Sequence, residues 1–191
     1  MGYFSVSSIS DQTTKLFVNE LLELIDEHLD GMILDLRGNG GGYLEEAVKF
    51  LGHFIPKKEV VVTSEYYGYE PVFFSSQGRG ELAELPLVVL VDQMTASAGE
   101  IIALALQERG ILVIGMPTFG KGNIQSVETF PDHSSLKFTV GKWFSPNHVN
   151  VSGTGLIPDI EVKRDAELYD VSQIDNQLER AKEELFTLMD A

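Results

Sequence analysis

The stretch Met32-Ile-Leu-Asp-Leu-Arg-Gly-Asn-Gly-Gly-Gly-Tyr43 runs a short apolar strand straight into glycines and then into a helical pattern. That order, strand, tight turn, helix, is the unit from which α/β layers are built. Upstream, Tyr3 to Ile9 is β-rich, and Val18, Leu21, Leu22, Ile25 and Leu29 recur at helical spacing. Downstream the helix runs from about Tyr43 to Phe54 and stops before Pro56. Val60 to Thr63 and Val72 to Phe74 read as strands. Leu87-Val-Val-Leu-Val91 is an apolar run typical of a strand covered on both faces. Ala98 to Arg109 reads as a helix and Ile111 to Ile114 as another buried strand. The repeated alternation predicts an α/β fold with a mostly parallel central sheet flanked by helices. After Gly115 the pattern changes. Ile124 to Phe130 and Leu136 to Phe144 read as a hairpin around Pro131-Asp-His-Ser134, and Gln173 to Met189 as one C-terminal amphipathic helix.

Composition removes whole classes of function. The 191 residues suit one domain, 1–191, with ample core. A net charge of −15, from 29 acidic and 14 basic side chains, argues against nucleic acid and against anionic lipid as partners. No cysteine is present, so disulfides, thiolate metal sites and a cysteine nucleophile are excluded together. No His-Glu-x-x-His pattern occurs, and a catalytic metal is not expected. No apolar run reaches the roughly 20 residues of a membrane span. The first ten residues carry no signal-peptide pattern.

Three glycine- or serine-rich stretches are candidates for chemistry. Gly38 to Gly42 nearly fits a dinucleotide fingerprint, but Tyr43 takes the third glycine position. Its plain alternative is a tight turn, and its more useful reading is a set of backbone N–H groups that hold an anion. Gly115 to Gly122 matches a phosphate-binding loop until Gly122 stands where Ser or Thr is needed, and the residues that follow read as strand. Lys121, flanked by glycines, is either an exposed loop lysine or, if shielded from water, a general base. Thr95-Ala-Ser-Ala-Gly-Glu100 contains Ser97-x-x-Glu100, a capping box. The same geometry puts the Ser97 hydroxyl at a positive helix end, where an oxyanion is stabilised. A triad through Asp132-His133 competes with a polar hairpin turn at those residues.

Taken together, LDLRGNGGG (34–42), TASAGE (95–100), TFGKGNIQ (118–125) and GTGLIPDIEV (153–162) resemble, in order, the signatures of the carboxy-terminal processing peptidases, tail-specific serine proteases of the S41 type. The resemblance covers nearly the whole chain and implies a ClpP/crotonase-like core. It implies that Ser97 is the nucleophile, Lys121 the general base and Gln125 a residue that orients the lysine. Backbone N–H groups of Ala98 and of a glycine in the 40–42 run, Gly41 first, would form the oxyanion hole. No cofactor or metal is implied. The implied partners are proteins with exposed C-terminal tails and a PDZ domain upstream of this core. A homo-oligomer is compatible with the family, and the implied compartment is periplasm, cell envelope or thylakoid lumen.

The chain departs from the family pattern at three places: Gly40 stands where proline is usual, Met116 where an acidic residue is common, and Lys121 follows Ser97 by one residue fewer than expected. Two other readings remain beside the peptidase: a non-catalytic peptide-binding scaffold of the same fold, and an acyl-CoA enzyme of the related crotonase fold.

Overall fold

A computed structural model describes residues 1–26 and 28–190. The elements in order are β1 (Gly2–Ser5), α1 (Thr13–Asp26), β2 (Met32–Asp35), α2 (Leu44–Leu51), β3 (Val60–Tyr66), β4 (Val72–Ser75), β5 (Leu87–Val91), α3 (Ala98–Gln107), β6 (Leu112–Gly115), β7 (Asn123–Thr129), β8 (Ser135–Phe144), β9 (Ile160–Glu161), α4 (Ala166–Ser172) and α5 (Asn176–Met189). The expected α/β architecture with a parallel central sheet is what forms. Strands β1-β2-β5-β6-β9 lie side by side in that order, every neighbouring pair parallel.

The pleat sorts the apolar residues of this sheet between two helical layers. Leu34, Leu36, Val89, Val91 and Val113 face the layer that holds Phe17, Phe50, Phe54 and Ile102. Ile33, Val88, Leu90 and Ile114 face Ala181 and Leu185 of α5. Double coverage is why Leu87–Val91 is apolar at every position and wholly buried. Phe17 packs against Phe4, Phe50 and Phe54, with ring centroids 4.7 to 5.8 Å apart.

The β3–β4 and β7–β8 pairs are insertions into two crossovers of this core. They join each other through β3 and β8 to make a second, antiparallel sheet in the order β4-β3-β8-β7. The cleft described below lies where this second sheet meets the N-terminal ends of α2 and α3.

Two local expectations need correction, and one strand was not anticipated. Leu22, read as core, is 58% exposed, while Phe17 and Leu21 supply the buried face of α1. The C-terminal helix begins at Asn176 and not at Gln173, which takes a left-handed conformation (φ 59°) and ends a separate short helix, α4, before Asp175 caps α5. The strand β9 is only two residues long, too short to register as periodicity.

Candidate active site

Ser97 sits at the sharp junction between β5 and α3. Its backbone takes φ 54° and ψ −117°, a conformation that costs a non-glycine residue of order 1–3 kcal/mol and persists only where surrounding contacts impose it. Those contacts are visible. Ala96 N donates to Asn39 O at 2.8 Å, and the Thr95 hydroxyl, fully buried, donates to Leu36 O at 2.8 Å. Asp92 Oδ1 accepts from Met94 N and Thr95 N, and also from Gly38 N across the gap. The Ser97 turn and the glycine loop are therefore one bonded unit.

The glycines have steric reasons. A Cβ on Gly41 would stand 2.7 Å from Ala96 O and 2.8 Å from Ser97 Cβ. Only a bare Cα lets the loop lie against Ser97, and its φ of +97° also favours glycine. Gly41 N, however, already donates to Asn39 Oδ1 at 2.8 Å. Gly42 differs. Ile9 bridges to it through Gly41 O and Tyr43 N, so the Gly42 N–H turns to the opposite side. Gly42 lines the same cleft as Ser97 and Ala98, and Ala98 N is one of the unpaired donors at the start of α3.

Glu100 joins the two walls of the site. Its side chain is fully buried, and both carboxylate oxygens are filled. Oε2 accepts from Ser97 N (2.9 Å) and Lys121 N (2.8 Å); Oε1 accepts from the Thr118 hydroxyl (2.6 Å) and Gly120 N (2.7 Å). The capping box anticipated only the bond to Ser97 N. The other three reach residues 18 to 21 positions away, beyond any spacing rule. From the far side, Trp143 Nε1 donates to Lys121 O at 2.9 Å and Asn150 Nδ2 to Gly122 O at 3.0 Å. The loop carrying Lys121 is thus fixed by its backbone, leaving its side chain free to work.

The cleft, about 340 Å³, brings together Ser97, Ala98, Gly42, Lys121 and Gln125, with Leu44, Ile101, Ile124, Tyr66 and Trp143 supplying apolar wall. Among the described residues the Ser97 and Lys121 side chains make no hydrogen bond to each other. Among the described residues no cluster suited to a metal is formed. The phosphate-loop reading fails, because Gly120–Gly122 leads into β7 and not into a helix N-terminus. The triad reading fails as well. Asp132 Oδ1 is taken by the N–H and hydroxyl of Ser134, and neither Asp132 nor His133 lines the cleft.

Three of the four ordered motifs thus converge on one cleft, the fourth packs behind it through Leu156 N on the Thr118 hydroxyl, and the profile of peptidase family S41 matches residues 1–162. The chain belongs to peptidase family S41. Among its S41 relatives, a carboxy-terminal processing protease of Bacillus subtilis, CtpB, is 35% identical over 166 residues, 86% of this chain and 34% of the relative. A carboxyl-terminal-processing protease of Synechocystis is 37% identical over 166 residues, 86% of this chain and 38% of that protein. Among solved structures, the photosystem II D1 C-terminal processing protease superposes with a TM-score of 0.75 at 31% identity, covering 84% of this chain and 42% of that one. The chain therefore spans about a third of the length of the curated relatives it matches. No helix among the described residues is long and apolar enough to cross a membrane.

Proposed function

We propose that this chain is the catalytic core of a serine peptidase that cleaves proteins near their C-terminal tails through a Ser97–Lys121 dyad. The observation that carries the reading is Glu100 Oε2, which accepts from Ser97 N and Lys121 N at once and so sets nucleophile and base in one cleft. In the first half-reaction Ser97 Oγ attacks the scissile carbonyl carbon while Lys121 Nζ takes the hydroxyl proton. The carbonyl oxygen becomes an oxyanion held by the N–H groups of Ala98 and Gly42. Two such preorganised donors supply several kcal/mol. Of the glycine run we choose Gly42 over Gly41, whose N–H is occupied by Asn39. Collapse of the intermediate breaks the C–N bond, Lys121 gives its proton to the departing amine, and an ester remains on Ser97. Water, losing a proton to Lys121, then attacks the ester; the acyl C–O bond breaks, Lys121 returns the proton to Ser97 Oγ, and the acid is released. Gln125, on β7 in the same cleft, is assigned to orienting Lys121. No metal or cofactor is required by this chemistry.

The substrates we propose are unfolded tails with apolar residues, suited to the aliphatic and aromatic wall of the cleft. A PDZ domain upstream, a compartment outside the cytoplasm and a homo-oligomeric assembly belong to the same proposal and rest on the family. A scaffold reading has one observation in its favour, the unmade hydrogen bond between Ser97 and Lys121.

The test uses the full-length protein, an unfolded substrate with an apolar C-terminus, and a fluorophosphonate probe. Wild type should cleave and be labelled at Ser97. Ser97→Ala and Lys121→Ala should each lose at least about 10⁴-fold in kcat. Activity that survives in both variants sinks the dyad, and wild type that is neither active nor labelled favours the scaffold.

A further inference from the structure

A second cluster of charges lies on the opposite side of the glycine loop, in a polar pocket of about 550 Å³ at the carboxyl ends of the parallel strands. Its centre is Arg37, the residue that leads β2 into Gly38–Gly42. The Arg37 side chain is only 14% exposed, and all three guanidinium nitrogens donate hydrogen bonds. Nε and Nη2 donate to Asp35, Nη2 at 2.6 Å, while Nη1 donates to Gln177 Oε1 at 3.0 Å and pairs with Asp175 at 2.8 Å. Asp175 is the N-cap of α5, accepting from Gln177 N and Leu178 N. Gln177, almost wholly buried, donates from Nε2 to Val162 O beside β9. One side chain in the active-site loop is thus held by the start of a helix that covers the far face of the sheet. Burial alone would lower the Arg37 pKa, but the hydrogen bonds and charges of Asp35 and Asp175 outweigh it and fix the cation.

We propose that Asp175 and Gln177 are positioning residues for the oxyanion hole, acting through Arg37 on the loop that presents Gly42. This rests on the peptidase reading of the cleft. The route is short. From Arg37 the chain passes Gly38, bonded to the same Asp92 that orders the turn to Ser97, and Asn39, whose carbonyl accepts from Ala96 N. Gly42 is five residues from Arg37 with no regular secondary structure between them. Among the described residues nothing else on the α5 side grips the loop by a side chain of the loop itself. Oxyanion donors act only when aimed at the charge that develops, so an error of about 1 Å costs rate on the order of a hundredfold and leaves ground-state binding nearly unchanged. The C-terminal helix on this view is part of the catalytic apparatus as well as of the core.

Asp175→Asn isolates the effect in the full-length protein. Asparagine caps a helix as well as aspartate does, so α5 keeps its start while Arg37 loses an anionic partner. With fluorescein-labelled β-casein, assayed well below the melting temperature, kcat should fall about tenfold with KM within about twofold. Fluorophosphonate labelling of Ser97 should slow in parallel. Gln177→Met carries the test if Asp175→Asn is not obtained folded, with the same kcat-against-KM split. Equal kcat in wild type and variant, or a loss confined to KM, overturns the inference and leaves the peptidase reading standing. Wild type that neither cleaves casein nor takes up the probe overturns the peptidase reading and this inference with it.

Discussion

On one wall of the cleft Ser97, Ala98 and Gly42 stand on the doubly covered parallel sheet, where Leu87–Val91 is buried from end to end. On the other, Lys121 and Gln125 stand at the root of the β7–β8 hairpin, whose outer strand is largely exposed. The first wall offers backbone groups fixed by glycine packing, a strained serine turn and the Arg37 anchor. The second offers two side chains, Lys121 and Gln125. That division suits the proposed chemistry. Stabilising an oxyanion requires donors that do not move. Proton transfer requires a side-chain base within hydrogen-bond reach of the groups it serves. Glu100 is the main tie between the walls, since its four hydrogen bonds divide between Ser97 on one side and Thr118, Gly120 and Lys121 on the other.

Cutting that tie should have the largest effect. Glu100→Gln keeps the volume but turns an NH2 toward two backbone or hydroxyl donors in a fully buried site, leaving them unsatisfied. The expected loss is about 3 kcal/mol of stability. In a chain of this size that is a fall in melting temperature of roughly 6–12 °C. Activity below the new melting temperature should fall about a thousandfold, because both walls shift. Thermal unfolding and casein hydrolysis measured together check it. Near-normal kcat in a folded Glu100→Gln would mean that the walls are aligned by something else.

Altering the first wall alone should cost less. Gly41→Ala places a methyl against Ala96 O and Ser97 Cβ at a backbone conformation that disfavours it, so the loop must retreat from the nucleophile. We expect kcat to fall about a hundredfold with KM little changed. The Lys121 loop, held by Glu100, Trp143 and Asn150, should keep its place in a crystal structure of the variant. A kcat within twofold of wild type would show that the loop does not need this close approach.

The same division governs what the sequence could reveal. The parallel core was legible because β2, β5 and β6 each carry their own signature, an apolar run between turn residues, and the order of motifs pointed to Ser97 and Lys121. What stayed hidden depends on pairing between distant residues. Ser97-x-x-Glu100 announced a helix cap, but nothing in the spacing announced that Thr118, Gly120 and Lys121 would share the same carboxylate. The run of three glycines offered three donors, and only the bridge from Ile9 and the bond from Gly41 to Asn39 separate Gly42 from its neighbours. β3 and β4 read as strands, yet their partnership with β8 is a tertiary event, as is the choice of Phe17 over Leu22 for the core. Arg37 looked like part of a turn until Asp175 and Gln177, about 140 residues on, were found against it.

Acid and alkali should loosen the two regions at opposite ends of the pH scale, with the smallest effects expected here. In the parallel sheet, the Tyr3 hydroxyl on β1 donates to Asp35 Oδ2 at 2.7 Å. Burial, and then the bond to Asp35, raise its pKa above the ordinary value of about 10. The unfolded chain releases that proton first, so the contribution of Tyr3 is complete below about pH 10 and is lost as pH rises through the higher folded value. In the hairpin, the hydroxyl and N–H of Ser134 hold the Asp132 carboxyl below its ordinary value of about 3.9. Its contribution is present above that value and is lost as pH falls through the lower folded one. Asp132 lies in the open, so its effect is the lesser. Melting temperature followed from pH 2 to 11.5 should show Tyr3→Phe flattening the alkaline limb and Asp132→Asn trimming only the foot of the acid limb. Asp132→Asn should also cleave casein at the wild-type rate near neutrality, because the turn it closes lies outside the cleft. An unchanged alkaline limb in Tyr3→Phe would mean that another group, and not the Tyr3–Asp35–Arg37 node, sets the alkaline stability of the parallel half.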